Sequence, residues 1–242
     1  MIFTQLIQTN LRTKELGKKV EYYNRLDSTN EEAWELIEEE HKNQHGTIVI
    51  TENQIKGKGR KGNSWSMVAG KGLAISVILD KKYPANHSSF ISLATGISVV
   101  ESLKKRSVEC SLKWPNDIYY QEKKLGGILC ESKIKKDAID KIVVGVGINV
   151  NETIEEHPKD LQKALTTMSS ITNHAHQREL IIAEFINSFE RLLNKLNDEP
   201  TSIIEEWLNH CLHLNKKVSF SNINKLDEGT FIGLNENGYA KI

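Results

Sequence analysis

Cysteine is scarce: the 242 residues hold three, Cys110, Cys130 and Cys211, and none forms a C-x-x-C pair. That is too few and too scattered for a disulfide framework, and the apolar surroundings of each suit a reduced core thiol. Net charge is missing too. The 32 basic residues balance 32 acidic ones, whereas generic nucleic-acid binding calls for an excess of Lys and Arg. Long hydrophobic runs are absent. Nothing approaches the roughly 20 apolar residues that span a bilayer; one of the longest runs, Leu73–Leu79, has strand length and includes Ser76. The N-terminus lacks the basic region, apolar stretch and small-residue cleavage site of a secretory leader. No internal repeat is visible. These absences predict a reduced, cytoplasmic protein with neither a membrane nor a nucleic acid as partner. The rest is ordinary: 38% hydrophobic and 26% charged residues match a folded domain and argue against extensive disorder. A chain of this length can bury roughly 70–75% of its unfolded surface.

The periodicities predict an α+β protein with a mixed, mostly antiparallel sheet packed with helices. Residues 1–19 read as an extension, with Phe3, Leu6, Ile7 and Leu11 as one weak apolar stripe. Val20–Leu26 reads as a strand. Ser28 and Glu31 then fit a capping box, opening a helix that buries Ala33, Trp34 and Ile37 and ends in the acidic run Glu38–Glu40. Strands are expected at Thr47–Glu52 and Leu73–Leu79, and a buried helix from Ser88 to about Leu103. Cys110, Leu112 and Trp114 alternate with polar residues; Ile118–Tyr120 and Leu125–Glu131 flank a turn and read as a hairpin. Ile142–Val150 is a nearly all-apolar strand. Residues 177–196 and 201–212 read as two helices. Short strands at Val218–Phe220, Thr230–Leu234 and Gly238–Ile242 suggest a small β module, so the expected division is 1–213 and 214–242.

Five segments carry polar chemistry. Gln54–Gly62 holds four cations, three glycines and no acid. Glycine lets backbone approach a ligand closely, and the cations suit an anion; the P-loop spacing is absent, and a solvated basic turn is the plain alternative. In Lys113-Trp114-Pro115-Asn116-Asp117, an amide and a carboxylate stand at a bend enforced by proline. Asp117 suits Mg²⁺ and Lys113 a phosphate, though an ordinary turn explains the same residues. Lys124-Leu125-Gly126-Gly127-Ile128-Leu129 brings a lysine into a strand whose glycines leave a face open, as a bulge would also do. Gly145-Val146-Gly147-Ile148-Asn149-Val150-Asn151 clears a second face. Asp27-Ser28-Thr29-Asn30 offers hydroxyls and an amide, to a helix cap or to an uncharged ligand such as a cyclic urea. His210, Cys211 and His213 lack further ligands at metal spacing and read as helix-surface and loop residues.

In this order and at these separations the five motifs, from Asp27 to Asn151, resemble the biotin protein ligases. The helix pair and β tail continue the likeness more loosely. The resemblance implies a catalytic domain like that of class II aminoacyl-tRNA synthetases, followed by an SH3-like module. It implies a two-step reaction: biotin and ATP, with Mg²⁺, give biotinyl-5′-AMP, and a lysine of a biotin carboxyl carrier domain then displaces AMP. The carrier would belong to an acetyl-CoA-type carboxylase. By the family's pattern Ser28, Thr29, Asn30 and Gln54 would bind the ureido ring. The loop residues Lys58, Gly59 and Arg60 would fold over biotin, with Arg60 near the phosphate and carboxyl oxygens. Lys124 would contact the biotin carboxylate and α-phosphate, with Gly127 beside it. Trp65 would stack on the adenine side or support the loop, Gly147 and Asn149 would line the adenylate pocket, and Asn116 and Asp117 would organise Mg²⁺ and the phosphates. Lys124, Arg60 and Lys113 are the cations expected to meet the developing charge.

The loop is expected to be mobile without ligand, since Ile55 is the one apolar residue in 55–62. Two departures from the pattern stand out. Lys58 takes the place of the usual arginine, keeping the charge and losing the planar fork. The C-terminal module is short, ending at Ile242 where the family usually runs on. The 19 residues before the first strand are too few for the winged helix of bifunctional members, so the expected type is monofunctional, as a monomer or homodimer. A lipoate or octanoyl transferase is the neighbouring alternative, for which a polar pocket at Ser28, Thr29 and Gln54 would be poorly used.

Overall fold

The computed structural model describes residues 1–39, 43–135, 138–222 and 225–242; Glu40 of the predicted acidic run lies outside them. In chain order the elements are α1 (Thr4–Asn10), β1 (Val20–Tyr23), α2 (Thr29–Glu39), β2 (Ile48–Thr51), β3 (Gly57–Lys58), β4 (Ser64–Trp65), β5 (Leu73–Leu79), β6 (Tyr83–Pro84) and α3 (His87–Lys104). There follow β7 (Ser111–Lys113), β8 (Asp117–Tyr120), β9 (Lys123–Lys135), β10 (Ala138–Ile148), α4 (Met168–Thr172), α5 (Arg178–Asp198) and α6 (Pro200–Asn209). The chain closes with β11 (Lys216–Asn222), β12 (Lys225–Phe231), β13 (Gly233–Leu234) and β14 (Ala240–Lys241).

The main sheet runs β1-β2-β5-β10-β9-β8-β7, with β6 also on β10. Only the β1–β2 pair is parallel, so the sheet is mixed and mostly antiparallel as expected. Its two faces follow from period-2 alternation. Leu73, Ile75, Val77 and Leu79 of β5, with Ile142, Val144, Val146 and Ile148 of β10, point into the principal core. There α3 lies against the sheet and α5 against α3; Phe185 and Phe189 of α5 stack with centroids 5.6 Å apart. On the opposite face Val49, Ile78 and Val143 meet Ala33 and Ile37 of α2. Along the rest of that face the alternate positions are small: Ala74, Ser76, Gly145 and Gly147. Strands that read as uniformly apolar therefore leave a trough beside α2.

The extension differs from the predicted stripe. Ile2, Ile7 and Leu16 are buried, whereas Phe3 is 64% exposed. The segment is strapped to α5 through its backbone. Glu190 accepts hydrogen bonds from the N–H groups of Lys14, Glu15 and Leu16 at 2.6, 2.8 and 2.8 Å. The first strand is shorter than expected, ending at Tyr23; Leu26 rejoins through a bridge to Gln54. The predicted capping box is replaced: Glu31 forms an ion pair with Lys58. The predicted strand Thr230–Leu234 is divided at Ile232, beside Gly233, whose φ of 133° favours glycine. Phe231 and Leu234 of the C-terminal strands are buried in the principal core. Among the described residues no helix is long and apolar enough to cross a membrane.

Candidate active site

The trough is the floor of a cavity of about 150 Å³, walled by α2, the basic loop and the turn before β8. The missing side chains on its floor make the room. A Cβ at Gly145 would stand 2.3 Å from Asn30 Oδ1, and one at Gly147 would stand 2.4 Å from Trp65 Cε2. Both distances are below any real contact, so these strand glycines are required by close approach. Trp65 therefore rests on Gly147, at the base of the loop, where β3 pairs with β4. Its indole N–H is buried and has no acceptor among the described residues.

One end of the cavity is lined by neutral groups held in a hydrogen-bond network. Gln54 Oε1 accepts from the backbone N–H of Thr29 at 2.8 Å and from its hydroxyl at 3.2 Å. Ser76 Oγ donates to Asn30 Oδ1 at 2.6 Å and lies 2.7 Å from Thr29 Oγ1. Asn30 Nδ2 donates to Glu131 Oε2 at 2.7 Å. Ser28, Thr29, Asn30, Gln54 and Ser76 are all buried, so each of these bonds offsets a desolvation penalty of about 1–3 kcal/mol. The arrangement fixes the amides and hydroxyls before a ligand arrives. It suits a ring that both donates and accepts hydrogen bonds.

Cations gather at the other end. Lys124 Nζ lies 2.6 Å from Asp117 Oδ1. A β-bulge between Ile118 and Tyr119 shifts the register of β8 on β9 beside it, the kind of irregularity that re-aims a side chain. The Lys124 backbone is clamped from its far side: its N–H donates to Ala164 O at 2.8 Å, and its carbonyl accepts from Thr166 N–H at 2.9 Å. A Cβ at Gly127 would make ordinary contact with Lys124 Nζ and Asp117 Oδ1, both 3.7 Å away, so Gly127 leaves room above that pair. Arg60 Nη1 donates to Asn116 Oδ1 at 3.4 Å, and Asn116 Nδ2 donates to Ile128 O at 2.8 Å. The hydrogen bond from Lys58 to Glu31 raises the lysine pKa above its ordinary value, so Lys58 stays charged throughout the neutral range. A neutral hydrogen-bonding end and a cationic end in one trough can orient a molecule with a polar ring and a carboxylate.

A model of the biotin/lipoate A/B protein ligase family matches residues 22–149, more than half of the chain. The chain belongs to that family. It is 27% identical over 234 residues to the bifunctional ligase/repressor BirA of Bacillus subtilis, covering 96% of this chain and 71% of that protein. It is 31% identical over 163 residues to the biotin–[acetyl-CoA-carboxylase] ligase of Mycobacterium tuberculosis, covering 64% of this chain and 57% of that one. The solved structure of a biotin protein ligase from Aquifex aeolicus in complex with biotin and ATP is similar at a TM-score of 0.77 and 31% identity. That likeness covers 92% of this chain and 90% of the other.

Most of the residues that resemblance to this ligase family singled out do meet at the cavity. Ser28, Thr29, Asn30, Gln54, Lys58, Gly59, Arg60, Trp65, Asn116, Asp117, Lys124, Gly127 and Gly147 all line it. Two do not. Lys113 is exposed, with Nζ 5.0 Å from the centroid of the Tyr119 ring. Asn149 is buried behind the wall, where its amide donates to Thr166 O at 3.0 Å. It thereby holds the segment that clamps Lys124. Of the two roles expected for Trp65, its place on Gly147 fits support of the loop. Ile55 is 43% exposed and anchors nothing. Sequence reasoning missed Ser76 and Glu131 as parts of the site, and it missed the clamp at Ala164 and Thr166. The signal for Ser76 was a lone hydroxyl in an apolar strand; the clamp has no periodicity to reveal it.

Proposed function

We propose that this protein is an ATP-dependent biotin protein ligase that activates biotin as biotinyl-5′-AMP and transfers it to a lysine of a biotin carboxyl carrier protein. The observation that carries this reading is the polarity of the trough, with Thr29, Gln54, Ser76 and Asn30 at one end and Lys124 and Arg60 at the other. The ureido ring of biotin has the donors and acceptor that the neutral end would satisfy, and its carboxylate would reach the cations.

In the first step a carboxylate oxygen attacks the α-phosphorus of ATP. The bond to the β-phosphate breaks, and pyrophosphate leaves. Two anions must be brought together, so Lys124 and Arg60 act by lowering the repulsion and stabilising the charge that develops between them. In the second step the neutral amine of the carrier lysine attacks the acyl carbon, AMP leaves with the electron pair of the acyl–oxygen bond, and the amine loses a proton. The polar end holds the ring in place through both steps. The magnesium ion enters as part of the substrate, shielding the triphosphate. Asp117 and Asn116 would hold it, and a single carboxylate that also faces Lys124 would suit an ion carried mainly by phosphate oxygens.

The carrier surface that fits best is the outer edge of β9. From Leu129 to Lys135 this strand pairs with β10 on one side, and no described strand pairs with its other side. Leu129 also lines the cavity, so an extended carrier segment added here would deliver its lysine to the cavity mouth. The test is a reaction with biotin, ATP and a biotin carboxyl carrier domain, read by mass. One biotinyl group on one lysine, abolished by Lys124→Ala, is the expected result; an unmodified carrier contradicts the reading.

A further inference from the structure

Three lysines around the cavity mouth already face carboxylates. Lys56 pairs with Asp27 at 2.6 Å and Lys124 with Asp117 at 2.6 Å, while Lys58 pairs with Glu31. Lys56 and Asp27 tie the root of the basic loop to the chain before α2, where the Lys56 N–H also donates to Asp27 O at 2.8 Å; the third pair acts further out. Lys58 lies on the basic loop and Glu31 in the first turn of α2, so this contact ties the loop to the far wall of the cavity. On the other wall Arg60 reaches Asn116. Beyond this root the loop is fastened on each side by one side chain, Lys58 and Arg60. Its tip, from Arg60 to Ser64, is exposed, and Lys61 has a left-handed φ of 56°. No apolar contact substitutes for those two side chains there.

We propose that Glu31 is a positioning residue for the basic loop: through Lys58 it holds the loop across the cavity mouth and slows escape of the activated intermediate. The second half of this statement rests on the adenylate-forming reading; the first half does not. The chemistry of lysine suits the role. Its ammonium has three donors, so Lys58 can keep Glu31 and still offer an N–H to a ligand oxygen. This pairing also gives the lysine found in place of the usual arginine a definite geometry. Lys58 and Glu31 are 50% and 39% exposed. In water such a pair shifts an equilibrium by about two- to fivefold.

The test uses the ligand-free protein first. Trypsin cleavage after Arg60 and Lys61 should be two- to fivefold faster in Glu31→Gln than in the parent, on the scale of one exposed ion pair. The combined exchange Glu31→Lys with Lys58→Glu should restore protection, which a merely local structural defect at residue 31 would not do. Equal cleavage of Glu31→Gln and the parent, or a charge exchange no better protected than Glu31→Lys alone, overturns the loop assignment. Release of pre-formed biotinyl-5′-AMP should also be faster in Glu31→Gln, by a similar factor. Unchanged or slower release, in a protein that does form the adenylate, overturns the retention role. A parent protein that forms no adenylate refutes the proposed function instead, and trypsin still decides the loop assignment.

Discussion

Ser76 shows how one side chain sets the site. It stands in β5 on the trough face, fully buried, between Thr29 and Asn30. Ser76→Ala would leave the Asn30 carbonyl without its donor. We expect a loss of about 1–3 kcal/mol in denaturant unfolding and a KM for biotin raised about tenfold. Gly147→Ala acts by bulk: it must expel the Trp65 indole, at about 1–3 kcal/mol, and should slow adenylate formation at least tenfold, in the range of about 1.4 kcal/mol on the barrier. Unaltered kinetics in either variant would detach that residue from the site. The thiols yield a pH prediction. Burial pushes Cys110 and Cys130 up to about 12 and raises Cys211 as well. A raised thiol pKa keeps the unreactive protonated form up to higher pH. At pH 8 iodoacetamide should therefore label the native protein far more slowly than the urea-unfolded chain. At this scale the sequence was informative wherever a motif fixed a residue in a turn or strand. It could not reveal Asn149 turning to Thr166, because that choice depends on a segment 17 residues away.

Among the elements, α2, α3, β2, β5, β8, α5 and α6 lie close to where the sequence placed them, whereas β9 and β10 cover most of the predicted stretches but extend beyond them, to Lys135 and from Ala138. The segments near the two ends of the sequence departed more. The N-terminal strap buries Ile2 and Ile7, five positions apart, and leaves Phe3 exposed because it is the extended N-cap of α1 and not part of the helix; the strap's order comes from Glu190 gathering three backbone N–H groups. Glu190→Ala should lower stability by about 1–2 kcal/mol in denaturant unfolding and speed amide exchange at Lys14–Leu16. No change in exchange there would remove the strap's anchor. The β9 edge offers a second test. The N–H of Ile128 points away from β10, to Asn116 O; by alternation so does that of Ser132. Ser132→Pro removes one outward donor, which an edge strand tolerates. It should raise the KM for the carrier domain and spare adenylate formation. An unchanged carrier KM would move the docking surface elsewhere.

At the scale of the whole molecule the sheet separates two tasks. One face and its helices hold the principal core, and the other trades apolar side chains for a trough in which small residues, amides and cations meet. The alternation was written in the sequence, but both faces of β10 read as apolar because glycine leaves no polar mark. Zero net charge agrees with a protein whose cations are matched locally, as Lys56, Lys58 and Lys124 are. The central claim is that this trough activates biotin, and ATP–pyrophosphate exchange tests it most directly, run with biotin, lipoate and octanoate in turn. The account predicts exchange that depends on biotin and disappears in Lys124→Ala. Exchange supported by lipoate or octanoate but not by biotin would contradict it.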